Sequence, residues 1–201
     1  MQFLLLLSIG VLFGYVACDA ECYQKEAKEC SRKLIPERFN DIDLSFCNYR
    51  RKLIPCLMDA VKKCEMSFLP ELQKVHSIVE EMCATGTVMN KDYLRLKECL
   101  KNVDKDSKCS DILSNIFEGK NTEREMNIAQ REACKQYNKV FDCFAESVKN
   151  SCNEKNAAFY RWVAEKFNKV LEKICDEVSI PLSKKGERPV NMDVFRSLGL
   201  F

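Results

Sequence analysis

Twelve cysteines after residue 20 form two successive sets of six with similar spacing, and no other feature constrains the fold as strongly. Neighbouring cysteines are separated by 7, 16, 8, 7 and 18 residues in the first set and by 9, 24, 8, 8 and 22 in the second. The sets are Cys22, Cys30, Cys47, Cys56, Cys64 and Cys83, then Cys99, Cys109, Cys134, Cys143, Cys152 and Cys175. This agreement indicates an internal duplication.

Segment 1–18 is an apolar run without a charged residue, and it predicts a secretory signal peptide. A membrane anchor is the alternative, but the run is short for a ~20-residue span and a charged chain follows at once. Cleavage after Ala17, Cys18 or Ala20 is compatible with the sequence. We therefore expect a secreted, extracellular protein with no transmembrane segment in the mature chain.

The cysteine count supports disulfides rather than a metal site. The chain has 13 cysteines, and loss of Cys18 with the signal peptide leaves an even number, as full pairing requires. Zinc is the rival explanation, but the sequence has no closely spaced C-x2-C pair and a single histidine. Up to six disulfides are therefore predicted, and no metal or cofactor.

The apolar residues recur at three- and four-residue steps almost throughout, which predicts an all-α fold. We expect two tandem three-helix units, 19–88 and 89–178, stapled by disulfides and packed as one helical bundle. A flexible C-terminal tail, 179–201, follows them. The expected helices are about 21–34, 43–64 and 70 onwards in the first unit, then 91–103 resuming at 110–117, 123–151, and a final helix with a long apolar stripe.

Helix geometry selects one disulfide pairing among the possible pairings of the six cysteines in each unit. Residues that meet across two antiparallel helices have numbers with a nearly constant sum, and the first two helices of each unit satisfy this with sums of 86 and 86, then 251 and 252. The remaining two cysteines of each unit would join its second and third helices. The pairs are Cys22–Cys64, Cys30–Cys56, Cys47–Cys83, Cys99–Cys152, Cys109–Cys143 and Cys134–Cys175.

The directions of the side chains support this pairing in the first unit. At about 100° per residue, the nine steps from Cys47 to Cys56 leave the two side chains on opposite faces of one helix. In the second unit Cys152 points in the same direction as Cys134. The pairing there therefore requires the helix to end or bend before Cys152.

The sequence contains no recognisable catalytic constellation. His76 is the sole histidine, beside an apolar helical stripe, and no nucleophile accompanies it. A secreted helical phospholipase A2 would need a His-Asp dipeptide and a glycine-rich calcium loop, and both are missing. Adjacent acidic residues such as Glu80 and Glu81 are typical of a solvated helix face. We therefore expect a protein that is not an enzyme and has no catalytic residues.

Two further observations bear on partners. The 32 basic and 30 acidic residues are interleaved, which argues against nucleic-acid binding. Phe159, Trp162 and Phe167 form an aromatic stripe on the last helix. The stripe suits either core packing between the two units or a ligand cavity.

The doubled cysteine frame and the stretch Glu81, Met82, Cys83, Ala84, Thr85, Gly86, Thr87 resemble cysteine-rich helical secreted proteins of arthropods, found in haemolymph, saliva and venom. More distantly, they resemble a nematode secreted domain of unknown function. The resemblance covers residues 22 to 175 and implies an extracellular, non-enzymatic protein without assigned site residues. The leading hypothesis is a secreted binding or effector protein for an extracellular macromolecule. The alternative is a carrier of an apolar small molecule in an extracellular fluid.

Overall fold

The computed structural model describes residues 20–34, 42–103 and 108–178, and all regular structure within them is helical. The predicted signal peptide (1–18) and tail (179–201) lie outside these described residues. The helices are α1 (20–34), α2 (Ile42–Lys63), α3 (Leu69–Cys83), α4 (Val88–Val103), α5 (Asp111–Phe117), α6 (Glu123–Ser151) and α7 (Glu154–Val178). The all-α prediction is confirmed. Helix α2 continues through Pro55.

Helix α2 ends in a Schellman motif at the turn before α3. The amide of Met66 donates to the carbonyl of Val61 at 3.0 Å, and the amide of Glu65 donates to the carbonyl of Lys62 at 3.3 Å. Glu65 has φ 52°, the left-handed conformation that this motif requires. Because glycine adopts that conformation more easily than glutamate does, this position stores some strain.

The junction between the units is a short hydrogen-bonded turn. The Thr87 hydroxyl donates to the carbonyl of Glu81 at 2.8 Å and accepts from the amide of Asn90 at 2.9 Å. The Asn90 side chain in turn donates to the carbonyl of Met82 at 2.7 Å. Thr87 thus caps α4, and the helix begins at Val88, three residues earlier than the sequence predicted.

Helix α6 has well-defined ends. Thr122 and Glu125 form a capping box at its start, since each side chain binds the other residue's backbone amide. At the other end Cys152 has φ −128° and ψ −85°, which is outside the helical region. The helix therefore ends directly before Cys152, as the pairing in the second unit required.

Six disulfides staple the helices, with Cα–Cα distances between 5.6 and 6.0 Å. They are the same six pairs that the constant-sum argument selects. Each lies within one unit: two join α1 to α2, one joins α2 to α3, and one joins α6 to α7. The other two join α4 to the residue after α6, and the turn before α5 to α6. All twelve cysteines after residue 20 are used in this way, so the contacts between the units are non-covalent apart from the chain itself.

One apolar core cluster spans both units. It combines residues of α1 to α3, such as Tyr23, Leu53 and Phe68, with residues of α7, such as Phe167 and Ile174. Helix α3 packs against both α4 and α7. Its buried face consists of Leu72, Val75, Ile78, Val79 and Met82, which follow the three- and four-residue steps that predict an all-α fold.

Polar contacts reinforce the junction of the units at the C-terminal end of α7. The amide of Ser67 donates to Glu177 at 2.9 Å, and the hydroxyl of Ser67 donates to the other carboxylate oxygen. The side chain of Gln24 donates to the carbonyl of Val178 at 3.3 Å. The described helices therefore form one bundle, as expected.

Candidate functional site: a cavity between the two units

A cavity of about 340 Å³ lies where the two units meet. Helices α2 and α3 contribute walls from the first unit, and α4, α6 and α7 contribute walls from the second. Ten of the fourteen lining residues are apolar. The lining consists of Phe46, Arg50, Met82, Tyr93, Leu96, Lys97, Leu100, Val103, Phe141, Phe144, Tyr160, Val163, Ala164 and Phe167.

Helical periodicity explains why these residues share one space. The lining residues of α7 are at positions 160, 163, 164 and 167, and those of α4 include 93, 96, 97 and 100. Both sets follow the i, i+3, i+4, i+7 spacing that places side chains on one helix face. Arg50 follows Phe46 by four residues on α2, so these two also point the same way.

The structure separates the residues of the aromatic stripe, for which both core packing and a ligand cavity were left open. Phe167 lines the cavity, whereas Phe159 and Trp162 are not among the lining residues. Phe159 packs against the neighbouring clusters that contain Leu96 and Tyr93. Trp162 is 38% exposed and stacks on Phe159 with ring centroids 6.3 Å apart. Trp162 is about 140° around the helix from Phe167, so these two side chains do not lie on one helix face.

Arg50 is the most unusual residue of the lining, since it is a cation with only 3% of its surface exposed. Its guanidinium carbon lies 5.6 Å from the ring centroid of Phe46 and 5.8 Å from those of Tyr49 and Phe167. These distances are typical of cation–π contacts, which offset part of the cost of burying a charge. Aromatic side chains from both units therefore surround this arginine.

Arg50 was not expected at the site, because a charged residue in an amphipathic helix is normally assigned to the solvated face. Its spacing from apolar residues indicates the buried face of the helix. Arg50 lies four residues after Phe46, three before Leu53 and seven before Leu57. Leu53 and Leu57 are fully buried. An arginine in register with these residues must lie on the apolar side of α2.

The other polar groups of the lining are Lys97 and the hydroxyls of Tyr93 and Tyr160. Lys97 is half-buried, and Tyr93 is buried. Burial raises the pKa of the Tyr160 hydroxyl far above its ordinary value, so this group stays neutral at physiological pH. A neutral phenol can donate one hydrogen bond to a ligand and can also accept one.

His76 lies outside this cavity. Its Nε2 is 4.0 Å from Oε1 of Glu80, and the other oxygen of that carboxylate is 3.2 Å from Nε of Arg51. These side chains are about one-third or more exposed on the surface of α2 and α3. Within the described ranges, no group of three His, Cys, Asp or Glu side chains is placed to hold a metal ion.

Among the helices that the structure describes, none is long and apolar enough to cross a membrane. Comparison of the chain with protein-family models, with curated proteins and with solved structures found no match. The geometry of the cavity is therefore the basis for assigning a function.

Proposed function

We propose that this protein is a secreted, non-catalytic carrier that holds a hydrophobic small molecule in the cavity between its two units. The cavity of about 340 Å³, with ten apolar residues among its fourteen lining residues, is the observation that carries the proposal. Its volume is at the lower end of the ~300–1,000 Å³ typical of small-molecule sites, which are likewise mostly apolar with a few polar groups.

The energetics of packing support a ligand in this space. Protein interiors are packed about as densely as organic crystals, and unfilled volume forgoes dispersion contacts. A ligand with an apolar body would restore those contacts and remove its own surface from water, at about 25 cal/mol per Å². Binding is therefore the expected use of a cavity that the folded chain keeps open.

Disulfides hold the cavity walls in place. Cys47–Cys83 joins α2 to α3, Cys99–Cys152 joins α4 to the end of α6, and Cys134–Cys175 joins α6 to α7. A wall that is already ordered loses little conformational entropy when a ligand binds. Twelve paired cysteines also favour an oxidising compartment, which supports the proposed extracellular location.

The cavity shifts the preference between the two functions expected from the sequence. A macromolecular partner needs an extended accessible surface, whereas a concave space lined by five helices suits a small molecule. The carrier role is therefore proposed ahead of binding an extracellular macromolecule through the helical surface.

A cavity-filling substitution tests the carrier role. We expect the delipidated, disulfide-intact protein to bind a polarity-sensitive apolar dye and to release it to competing apolar ligands. Ala164→Leu adds volume at a buried lining position and should abolish this binding, whereas Ala158→Leu, at an exposed position on the same helix, should leave it unchanged. Absence of dye binding to the wild-type protein, or equal binding by the Ala164→Leu variant, would overturn the proposal.

A further inference from the structure

We infer that the molecule carried has a flat aromatic body of about two fused rings rather than a flexible hydrocarbon chain. This inference rests on the proposed carrier function and adds the chemical class of the ligand. Phe141 and Phe144 of α6 and Tyr160 of α7, which all line the cavity, would supply the ring contacts that select such a body.

Aromatic side chains form much of the cavity wall. Six of the fourteen lining residues are phenylalanine or tyrosine, whereas Phe, Tyr and Trp together make up 9% of the chain. The six are Phe46, Tyr93, Phe141, Phe144, Tyr160 and Phe167. Because ring faces carry negative and ring edges positive partial charge, aromatic groups attract one another beyond the gain from buried area. The wall therefore favours a ligand that has rings of its own.

The rings of the wall differ in whether the protein already pairs them. Phe46 is stacked on Tyr93, with ring centroids 5.1 Å apart and an angle of 28° between the planes. Within the described ranges, no ring contact joins Phe141, Phe144 or Tyr160 to another aromatic side chain. An aromatic ligand would supply the partner that these three rings lack.

Two of these three rings keep accessible surface. Phe144 and Tyr160 pack against the apolar core cluster and are still only half-buried, although their helices α6 and α7 are neighbours. Phe141 is buried and precedes Phe144 by three residues, so both lie on the same face of α6. A flat ligand in the cavity could therefore contact rings of both helices.

The volume of the cavity limits the size of the ring system. An apolar cavity of about 150 Å³ holds one benzene molecule, and this cavity has about 340 Å³. About two fused rings therefore fit, whereas a body as large as a sterol would have to displace lining side chains. A rigid ring system also loses less conformational entropy on binding than a flexible chain with as many carbon atoms.

Three neutral alcohols with the same number of carbon atoms test the ligand class. They are naphthol, its fully saturated analogue decahydronaphthol with the hydroxyl at the same ring position, and decanol. Equilibrium dialysis against the disulfide-intact full chain at neutral pH measures each dissociation constant. We expect naphthol to bind on the order of 10-fold more tightly than decahydronaphthol, as two aromatic contacts provide. Decanol has the most apolar surface, so the hydrophobic effect alone would make it the tightest ligand, but we expect it to bind more weakly than naphthol.

Substitutions then assign the preference to residues. Phe141→Leu and Phe144→Leu each keep an apolar side chain but remove a ring, so each should lower the ratio of naphthol to decahydronaphthol affinity about 3-fold. Tyr160→Leu should lower this ratio similarly, whereas Tyr160→Phe keeps the ring and should leave the ratio nearly unchanged. Phe117→Leu, at a half-buried α5 position outside the lining, is the matched control and should not change the ratio.

The outcomes separate this inference from the carrier function. If none of the three alcohols binds the wild-type protein, the carrier function itself fails. If decahydronaphthol or decanol binds as tightly as naphthol, the cavity is a binding site but its preference for an aromatic body is wrong. Should Phe141→Leu or Phe144→Leu not fold, as judged by near-ultraviolet circular dichroism, the two variants of Tyr160 decide: equal affinity ratios in Tyr160→Leu and Tyr160→Phe would refute the inference.

Discussion

The guanidinium carbon of Arg50 lies 5.8 Å from the ring centroid of Phe167, so a cation of the first unit contacts an aromatic ring of the second. Both residues line the cavity, and both are almost completely buried. This contact joins the two halves of the chain at the point where the ligand would bind. The stability of the contact between the two units and the shape of the cavity therefore depend on the same side chains.

Phe167→Ala should destabilise the protein by about 3 kcal/mol, because it removes a buried ring and enlarges the cavity. Trp162→Ala should cost about 1 kcal/mol, since that ring is 38% exposed and outside the lining. Chemical denaturation gives both values. Equal losses for the two variants would contradict the assignment of Phe167 to the cavity and Trp162 to the surface.

The fluorescence of Trp162, the sole tryptophan of the chain, should change little when an apolar ligand binds. Its indole stacks on Phe159 and has Lys166 Nζ 6.0 Å from the ring, outside the cavity lining. An emission titration with decanol, run beside a calorimetric titration that detects binding, checks this. A large blue shift on binding would show that the ligand lies against Trp162 instead.

Glu65→Gly should stabilise the protein by about 1 kcal/mol, because glycine accepts the positive φ of 52° without steric cost. Gly119 has φ 69° at the turn after α5 and serves as the opposite control, so Gly119→Ala should destabilise the protein by about 1 kcal/mol. Denaturant midpoints measure both changes. A loss of stability in Glu65→Gly would contradict the Schellman motif at the end of α2.

Peptide mapping under non-reducing conditions should recover Cys99 linked to Cys152 and Cys134 linked to Cys175. Replacing Cys134 and Cys175 by alanine should lower the free energy of unfolding by about 4 kcal/mol, because their bridge closes a loop with a sequence separation of 41 residues. Recovery of a peptide with Cys22 linked to Cys56 would refute the pairing.

The capping box of α6 should make part of the stability depend on pH. Hydrogen bonds from the side chain and backbone of Thr122 lower the pKa of Glu125 in the folded protein, so its contribution is present above the unfolded pKa of about 4.3 and is lost as the pH falls through the lower folded value. Glu125→Gln should therefore flatten the fall in stability on acidification. Thr122→Ala should cost about 1 kcal/mol at neutral pH.

Denaturation at a series of pH values measures both effects. Glu118→Gln is a suitable control because Glu118 is exposed at the turn before α6 and outside the capping box. If Glu125→Gln and the control have the same pH profile as the wild-type protein, the capping box does not contribute to acid stability.

Much of the fold follows from periodic patterns in the sequence. The spacing of Leu72, Val75 and Ile78 identified the buried face of α3, and the constant-sum rule selected the same cysteine pairs as the structure. The geometry of single helices and of antiparallel neighbours is sufficient for both results. These are local rules that a sequence expresses directly.

The cavity could not be located in this way. Periodicity indicates that Phe167 faces inwards, but whether it meets a packed side chain or a space depends on how α2 and α4 approach α7. That approach depends on packing across the whole bundle. Arg50 shows the same limit, since only its register with Leu53 and Leu57 distinguishes it from a solvated charge.

Because every disulfide lies within one unit, the covalent structure of the described helices is two separately cross-linked bodies joined by the chain between α3 and α4. Relative movement of these bodies would break only apolar contacts and hydrogen bonds, whereas movement within either body works against its three cross-links. The non-covalent contacts between the two bodies are thus easier to deform than the cross-linked helices within either body. If the protein carries a ligand as proposed, separation of the two bodies would open the cavity while the cross-links of each body stay intact.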